Sequence, residues 1–454
     1  MGSYYLDPFG CVKNQVDAEM MMAYLNAAGW EAAPDPDLAE LIIVNSCGFI
    51  DAAKQESIDA VLAWRRAYPH KKILLAGCLA QRYQSELAES LGEADLLFGN
   101  GNLEGIAAAL AAENAATTTE GPATTVEGPA VEAPERWRTD RAIAPGERPL
   151  LSLPGSAYVK IAEGCDNYCS FCAIPLIRGR LRSRSVEDIL AECRALLGRG
   201  IRELCLIGQD LGSYGRDRSP AGSLPELLAG IAGLEGRFWV RLLYIHPDNF
   251  PRAILDICRR DGRFLPYFDL PFQHGSDRIL RAMNRRGSAA AYLGLIDDIR
   301  AALPGAVIRS TFLTGFPGET WEDFTALLDF QERAQIDWAG AFAWSREEGT
   351  AAYGMKGRPP RKLAGERRDI LEERQVPITE SRMDLFLGSR LDVLVEEALD
   401  REEGLYLGRL YCQAPEVDGS ALIRPRELSG GLSLGEFLPV KVIGRAGFDL
   451  EVRV

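Results

Sequence analysis

Two hydrophobic textures alternate along the chain. The apolar run at 41–44 and the stretch 72–76, apolar after Lys72, predict strands buried on both faces, while Val16, Met20, Met21 and Leu25, and later the stretch 54–64, repeat at helical spacing. Strand and helix in alternation predict a parallel α/β sheet. The same texture resumes at 157. Runs at 157–162, 203–207, 239–244, 267–270, 307–312 and 338–343 predict strands, with helical stretches at 186–197, 224–234, 251–259 and 321–333 between them. That order predicts a second parallel sheet, open or closed into a barrel. After about residue 375 the runs shorten and alternate, at 391–395, 404–409 and 437–443, with glycines between. They predict a small antiparallel β-barrel.

Between the first two regions, residues 111–135 are rich in Ala, Thr, Glu, Gly and Pro and carry no large aliphatic run. Such a stretch cannot bury enough apolar surface to order itself. The expected organisation is a multidomain α/β chain: an N-terminal parallel-sheet domain at 1–110, a linker at 111–154, a partial (βα) barrel at 155–375 and the small β-barrel at 380–454. No apolar run approaches the roughly 20 residues of a membrane span. Residues 1–10 lack the basic start and long apolar core of a signal peptide. The expected location is the cytoplasm, with no membrane partner.

Charge changes the picture of the partner. The formal charge is -14, and from 381 to 454 there are 13 acidic against 9 basic side chains, with no basic stripe legible in that segment. Nucleic-acid binders usually display a basic surface. The balance points to a basic protein partner instead.

Ten cysteines in a reducing compartment indicate metal or catalytic chemistry where they cluster. Cys165, Cys169 and Cys172 form C-x₃-C-x₂-C. Three thiolates are one fewer than a closed zinc site or a fully ligated iron–sulfur cube requires. A cube held this way keeps one iron open; a zinc loop with a fourth ligand from elsewhere is the alternative. Cys47 and Cys78 directly follow predicted strands and Cys11 follows a Gly10 turn, so all three converge where ligands collect in parallel sheets. They read as a second three-cysteine cluster, with a catalytic thiol as the competing reading. Cys193, Cys205, Cys258 and Cys412 lie in apolar surroundings and read as small buried hydrophobes. Gln209, Asp210, His246, Gln273, His274 and the turn 314–319 all follow predicted strands, on the face that is active in barrels. A histidine there can equally satisfy a loop carbonyl. The basic run 177–184 reads either as a solvated face or as a contact for an anionic group.

The order of domains, with Gly10-Cys11-Val12-Lys13-Asn14, Asn45-Ser46-Cys47-Gly48-Phe49-Ile50, Pro271-Phe272-Gln273-His274-Gly275-Ser276, Gly315-Phe316-Pro317-Gly318-Glu319-Thr320 and Glu347-Glu348-Gly349-Thr350, resembles the methylthiotransferase family of radical S-adenosylmethionine (SAM) enzymes. Within it the phrases resemble the branch that methylthiolates an aspartate of the twelfth small-subunit ribosomal protein. The resemblance implies two [4Fe-4S] clusters and SAM. Cys165, Cys169 and Cys172 would hold the cluster that binds SAM and yields the radical that removes hydrogen from the aspartate β-carbon. Cys11, Cys47 and Cys78 would hold the auxiliary cluster that carries the sulfur, and the last domain would be a TRAM domain. Gln209 and Glu319 are expected contacts for SAM or substrate; no acid or base is assigned. The implied partners are the ribosomal protein, free or in the ribosome, and an electron donor such as flavodoxin or ferredoxin. Nucleic acid enters only through the ribosome. Val12, Ser46 and the phrase 447–450 depart from the family's usual residues, the last one bearing on docking by the TRAM domain. The rivals are the transfer-RNA-modifying branch and a non-catalytic iron–sulfur protein that binds ribosomes.

Overall fold

The computed structural model describes residues 2–116, 124–125, 144–400, 403–424 and 431–454. The chain forms two compact units. The first comprises Met1–Leu151, Ala162–Asp188 and Ser345–Tyr353, and the second Ser152–Ile161, Ile189–Trp344 and Gly354–Val454.

In the first unit a six-stranded parallel sheet runs in the order Glu31–Ala32, Ser3–Pro8, Leu41–Ser46, Lys72–Gly77, Leu96–Phe98, Thr124–Thr125. Its central strands are buried at almost every position because both faces are covered. Ile43 and Leu74 pack with Met21, Leu25, Ile106 and Leu110 on one face, whereas Ile42, Val44, Ile73 and Leu75 pack with Val61 on the other. Helices Val12–Ala27 and Ile106–Ala116 serve the first face and Asp51–Ala67 the second. Thr124–Thr125 lies within the segment expected to be a linker, yet it adds an edge strand beside Leu96–Phe98. The rest of that expectation, at 117–123 and 126–143, lies outside the described residues.

The second unit contains a six-stranded parallel sheet in the order Trp338–Ala343, Val307–Thr314, Phe264–Asp269, Trp239–Leu242, Glu203–Ile207, Ser156–Lys160. Consecutive strands are neighbours joined by helices, which is the winding of an open (βα) barrel. A closed five-stranded barrel follows, built from Arg390–Asp400, Leu405–Leu410, Ala421–Arg424, Asp449–Arg453 and Phe437–Ala446. Four of its pairings are antiparallel, and Ala421–Arg424 with Asp449–Arg453 is parallel. Buried charge ties barrel to sheet: Glu203 takes Arg241 Nε at 2.7 Å and also pairs with Arg409, which holds Glu396 at 2.6 Å. Burial works to raise the Glu203 pKa, but the two guanidinium groups outweigh it and hold the carboxyl at about 2.

The change of texture placed near residue 375 does not mark the end of helix. Helix Arg361–Asp384 runs through it, with Pro377 inside. Proline argues against helix interior, and the buried stripe is partly polar, which hides its period. Gln375 donates to Ile336 O at 2.8 Å and accepts from Gln331 at 3.1 Å, while Thr379 donates to Asp337 O at 2.8 Å. Among the described residues no helix is long and apolar enough to cross a membrane.

Candidate active site

Three neighbouring strands of the first unit end level with one another, Pro8 opposite Asn45 and Ser46 opposite Gly77. Cys11 is the N-cap of helix Val12–Ala27, Cys47 directly follows Leu41–Ser46, and Cys78 opens helix Cys78–Arg82. Each cysteine adjoins a glycine where the backbones come too close for a side chain. A Cβ on Gly10 would lie 3.1 Å from the Cys47 Cβ, one on Gly48 2.6 Å from the Cys78 carbonyl oxygen, and one on Gly77 2.7 Å from the Ser46 carbonyl oxygen. Asn14 fastens the same edge, donating to Phe9 O at 2.6 Å and Ser46 O at 3.2 Å, and receiving Cys78 Sγ at 3.7 Å. The structure thus gathers Cys11, Cys47 and Cys78 at one sheet edge.

The second triad lies in the same unit. Strands Ala162–Glu163 and Arg182–Ser183 pair and close the loop between them. Gly164 has a φ of +74°, and a Cβ there would clash with the Arg180 carbonyl, so the residue before Cys165 must be glycine. Cys165 N donates to Gly179 O at 3.2 Å, Cys172 N to Cys169 O at 3.0 Å, and Leu181 N to Asp166 Oδ1 at 3.2 Å. Cys165, Cys169 and Cys172 are half-exposed and free of disulfides. Segment Ser345–Tyr353 clasps this region. Glu347 receives Lys54 at 3.0 Å and Arg82 at 2.7 Å, and Ala352 N donates to Ser170 O at 2.7 Å.

The two triads adjoin. Ala173, next after Cys172, and Ile177 form a buried cluster with Cys78. From the same short helix, Ile174–Arg178, the buried Arg178 donates to Cys78 Sγ at 3.1 Å and to Glu163 at 2.8 Å, and its guanidinium lies 2.9 Å from the Asp17 carboxylate as an ion pair. Burial pushes the Cys78 thiol up to about 12, and the Arg178 guanidinium works against that, favouring the thiolate. Within the basic run 177–184, the role of Arg178 is therefore an internal one. Arg180 stays exposed beside Asp166 and Arg184 pairs with Asp188.

Among the described residues no three His, Cys, Asp or Glu side chains converge closely enough to ligate one metal ion. A cube gives each thiolate its own iron and spreads its ligands more widely. The donor sets, thiolate only and three at a time, fit two cubes that each keep one iron open.

In the second unit, polar residues gather at the carboxyl ends of the strands as expected. Asp210 receives His246 N at 2.9 Å, Asn249 Nδ2 at 2.6 Å and Ser213 Oγ at 2.6 Å. Tyr244 and Gln273 have φ of +67° and +71°, rare for side chains of this size and a mark of backbone held in place by its surroundings. Nothing in the sequence marks that strain. Gln209 is half-buried beside this network. Glu319 uses its carboxylate within the protein: Oε2 receives Gly315 N at 2.8 Å and faces His274 Nε2 at 3.4 Å, and Oε1 pairs with the buried Arg367. Its geometry is that of a residue holding the turn. Glu319→Ala is expected to lower stability by about 3–5 kcal/mol by leaving Arg367 buried and uncompensated, read from urea unfolding.

Burial and the Arg285 guanidinium depress His246 to about 4, so the imidazole is neutral at pH 7. Its Nδ1 accepts from Asp248 N at 3.2 Å, which leaves the proton on Nε2. A histidine pKa lowered by folding contributes stability that is fully present above about 6.5 and is lost as pH falls towards 4, roughly 3 kcal/mol in all. The urea midpoint of His246→Gln should fall less than that of the unaltered chain between pH 6.5 and 4.

Residues 3–99 match Uncharacterized protein family UPF0004, residues 159–330 the Radical SAM superfamily and residues 387–454 the TRAM domain. A solved radical S-adenosylmethionine methyltransferase, TsrM from Kitasatospora setae, shares the fold with a TM-score of 0.55 at 15% identity, over 78% of this chain and 75% of that one. A radical SAM enzyme with an added cysteine domain before it and a TRAM barrel after it is the class so defined. Ribosomal protein uS12 methylthiotransferase RimO of Treponema denticola is 45% identical over 98% of this chain and 99% of its own. The protein of that name from Aquifex aeolicus is 39% identical over 98% and 95%. The chain belongs to the RimO family of ribosomal protein uS12 methylthiotransferases.

Proposed function

We propose that this chain exchanges the β-hydrogen of an aspartate in ribosomal protein uS12 for a methylthio group, in the cytoplasm, with electrons from a flavodoxin or ferredoxin. The observation that carries the reading is the adjacency of two thiolate triads in one unit, with Cys78 packed on Ala173 and Ile177 beside Cys172. A single carbon must meet both the radical and the sulfur, so neighbouring triads suit the reaction. Cys165, Cys169 and Cys172 hold the cluster that binds SAM; Cys11, Cys47 and Cys78 hold the other. When bound, the clusters and SAM supply the hydrogen-abstracting radical and the sulfur, chemistry no side chain offers at an unactivated C–H bond. The chain's own groups position and neutralise: Arg178 compensates the negative charge of Cys78, Glu163 and Asp17, and the neutral His246 offers an Nε2–H donor at a strand end. The domains follow the same reading, with 1–110 carrying the auxiliary cluster, 155–375 the radical chemistry and 380–454 the TRAM barrel.

The test is anaerobic incubation of the reconstituted chain with SAM, sulfide and a low-potential reductant, offering uS12 and transfer RNA in parallel. Mass spectrometry should find the methylthio group on uS12. Its appearance on the RNA alone would move the chain to the transfer-RNA branch, and intact SAM with both clusters present would leave a non-catalytic ribosome binder.

A further inference from the structure

Two side chains that are not themselves cysteine ligands aim N–H groups at the Cys78 sulfur. Asn100 Nδ2 donates to Sγ at 3.4 Å and Arg178 Nη2 at 3.1 Å. Strand register accounts for the first. Leu96–Phe98 runs parallel to Lys72–Gly77 with Leu74 opposite Leu96 and Ala76 opposite Phe98, so two further residues on each chain bring Asn100 level with Cys78. The loop is then pinned to the helix that Cys78 opens. Gly101 N donates to Gln81 Oε1 at 3.0 Å, and a Cβ on Gly99 would clash with the same oxygen. Glycine on either side leaves Asn100 as the one side chain of that tip.

Arg178 approaches from helix Ile174–Arg178, which follows the second triad. The neighbourhood of the sulfur is dry, because Ala173 and Ile177 pack on Cys78. Hydrogen bonds gain strength where water is excluded. In the metal-free chain the Cys78 thiol also donates to Asn14 Oδ1 at 3.7 Å, a contact that ends when the proton gives way to iron.

N–H groups and positive charge beside a cluster sulfur stabilise the cube more as its negative charge grows, which raises its reduction potential. The reaction has a use for such a cube. A carbon radical brings one electron to a methylthiolate sulfur that offers two; the new C–S bond keeps two of the three, and one is left over. The auxiliary cluster is the acceptor at hand for that electron.

We propose that Asn100 and Arg178 are positioning residues that act through Cys78 to raise the reduction potential of the auxiliary cluster, so that it takes up the electron released when the methylthio group passes to carbon. This rests on the reading that Cys11, Cys47 and Cys78 hold that cluster. Arg178 also has a structural duty towards Glu163 and Asp17. Among the described residues the Asn100 side chain makes no other hydrogen bond, which makes it the cleaner probe.

The experiment uses the full chain with Cys165, Cys169 and Cys172 replaced by alanine, so that one cluster remains. Its potential is measured by EPR-monitored potentiometry, alone and with Asn100→Ala, Asn100→Asp or Arg178→Lys added. Loss of one N–H···S bond in Asn100→Ala should shift the reduction equilibrium about tenfold towards the oxidised cube, a potential about 59 mV lower for one electron. Asn100→Asp sets an anion beside the sulfur and should lower it further. Arg178→Lys keeps the charge but gives up the planar fork, and should lie between the parent and Asn100→Ala. In chains with both triads intact, Asn100→Ala should yield less methylthiolated uS12 per 5'-deoxyadenosine formed. Equal potentials in the parent, Asn100→Ala and Asn100→Asp, with iron in place, would overturn the proposal. Loss of iron in Asn100→Ala would make the side chain a support for cluster retention and overturn the tuning role. Failure of the chain lacking Cys165, Cys169 and Cys172 to hold any cluster would instead overturn the reading on which the proposal rests.

Discussion

Arg178→Gln is expected to destabilise the first unit by about 3–5 kcal/mol, the cost of removing one partner from a buried ion pair. The side chain is almost wholly enclosed and serves three partners, Cys78 Sγ and Glu163 by hydrogen bond and Asp17 by ion pair. Glutamine offers no positive charge, so the Glu163 and Asp17 carboxylates would be left buried together beside the Cys78 sulfur. Arg178→Lys restores the charge but is a point donor on a flexible stem, and cannot reproduce the planar fork that reaches three partners. Lysine should therefore recover part of the stability and glutamine none. Urea unfolding of the metal-free chain reads the first effect. Iron bound per chain after reconstitution reads the second, because thiolates must be deprotonated to ligate, and the Gln variant should lose iron from the triad that contains Cys78. Unchanged stability in Arg178→Gln would show that the guanidinium carries no such burden.

A larger effect is expected from dividing the six cysteines. Each triad holding one cube predicts about eight irons in the reconstituted chain and about four after three alanine substitutions in either triad. The two half-loaded proteins should differ in chemistry. With Cys11, Cys47 and Cys78 replaced, SAM should still be cleaved to 5'-deoxyadenosine, but uS12 should gain no sulfur. With Cys165, Cys169 and Cys172 replaced, neither product should form. Four irons in each variant with identical residual reactions would contradict the division of labour. Mössbauer spectroscopy, which counts iron by type, checks the loading without any turnover.

Much of this was legible in the sequence, for identifiable reasons. The central strands of the first sheet are apolar over most of their length, so their runs are visible without a partner, and Cys47 and Cys78 at their ends inherit a position. Glycines beside Cys11, Cys47 and Cys78 mark backbone approaches that tolerate no Cβ. Arg178 was legible only as one member of a basic run, because its partners Asp17 and Cys78 lie far away in the chain. Helix Arg361–Asp384 was hidden by Pro377 and by a buried face that includes Arg367, Gln375 and Thr379. Glu319 sits where a ligand contact is expected, and only coordinates reveal that both of its oxygens are occupied within the protein.

The most direct test of the account is tandem mass spectrometry of uS12 from cells that lack their own uS12 methylthiotransferase and express this chain. The account predicts one methylthio group in place of a hydrogen on the β-carbon of a single aspartate, absent when Cys165, Cys169 and Cys172 are replaced by alanine. An unmodified uS12 in cells containing the fully cluster-loaded chain would contradict it.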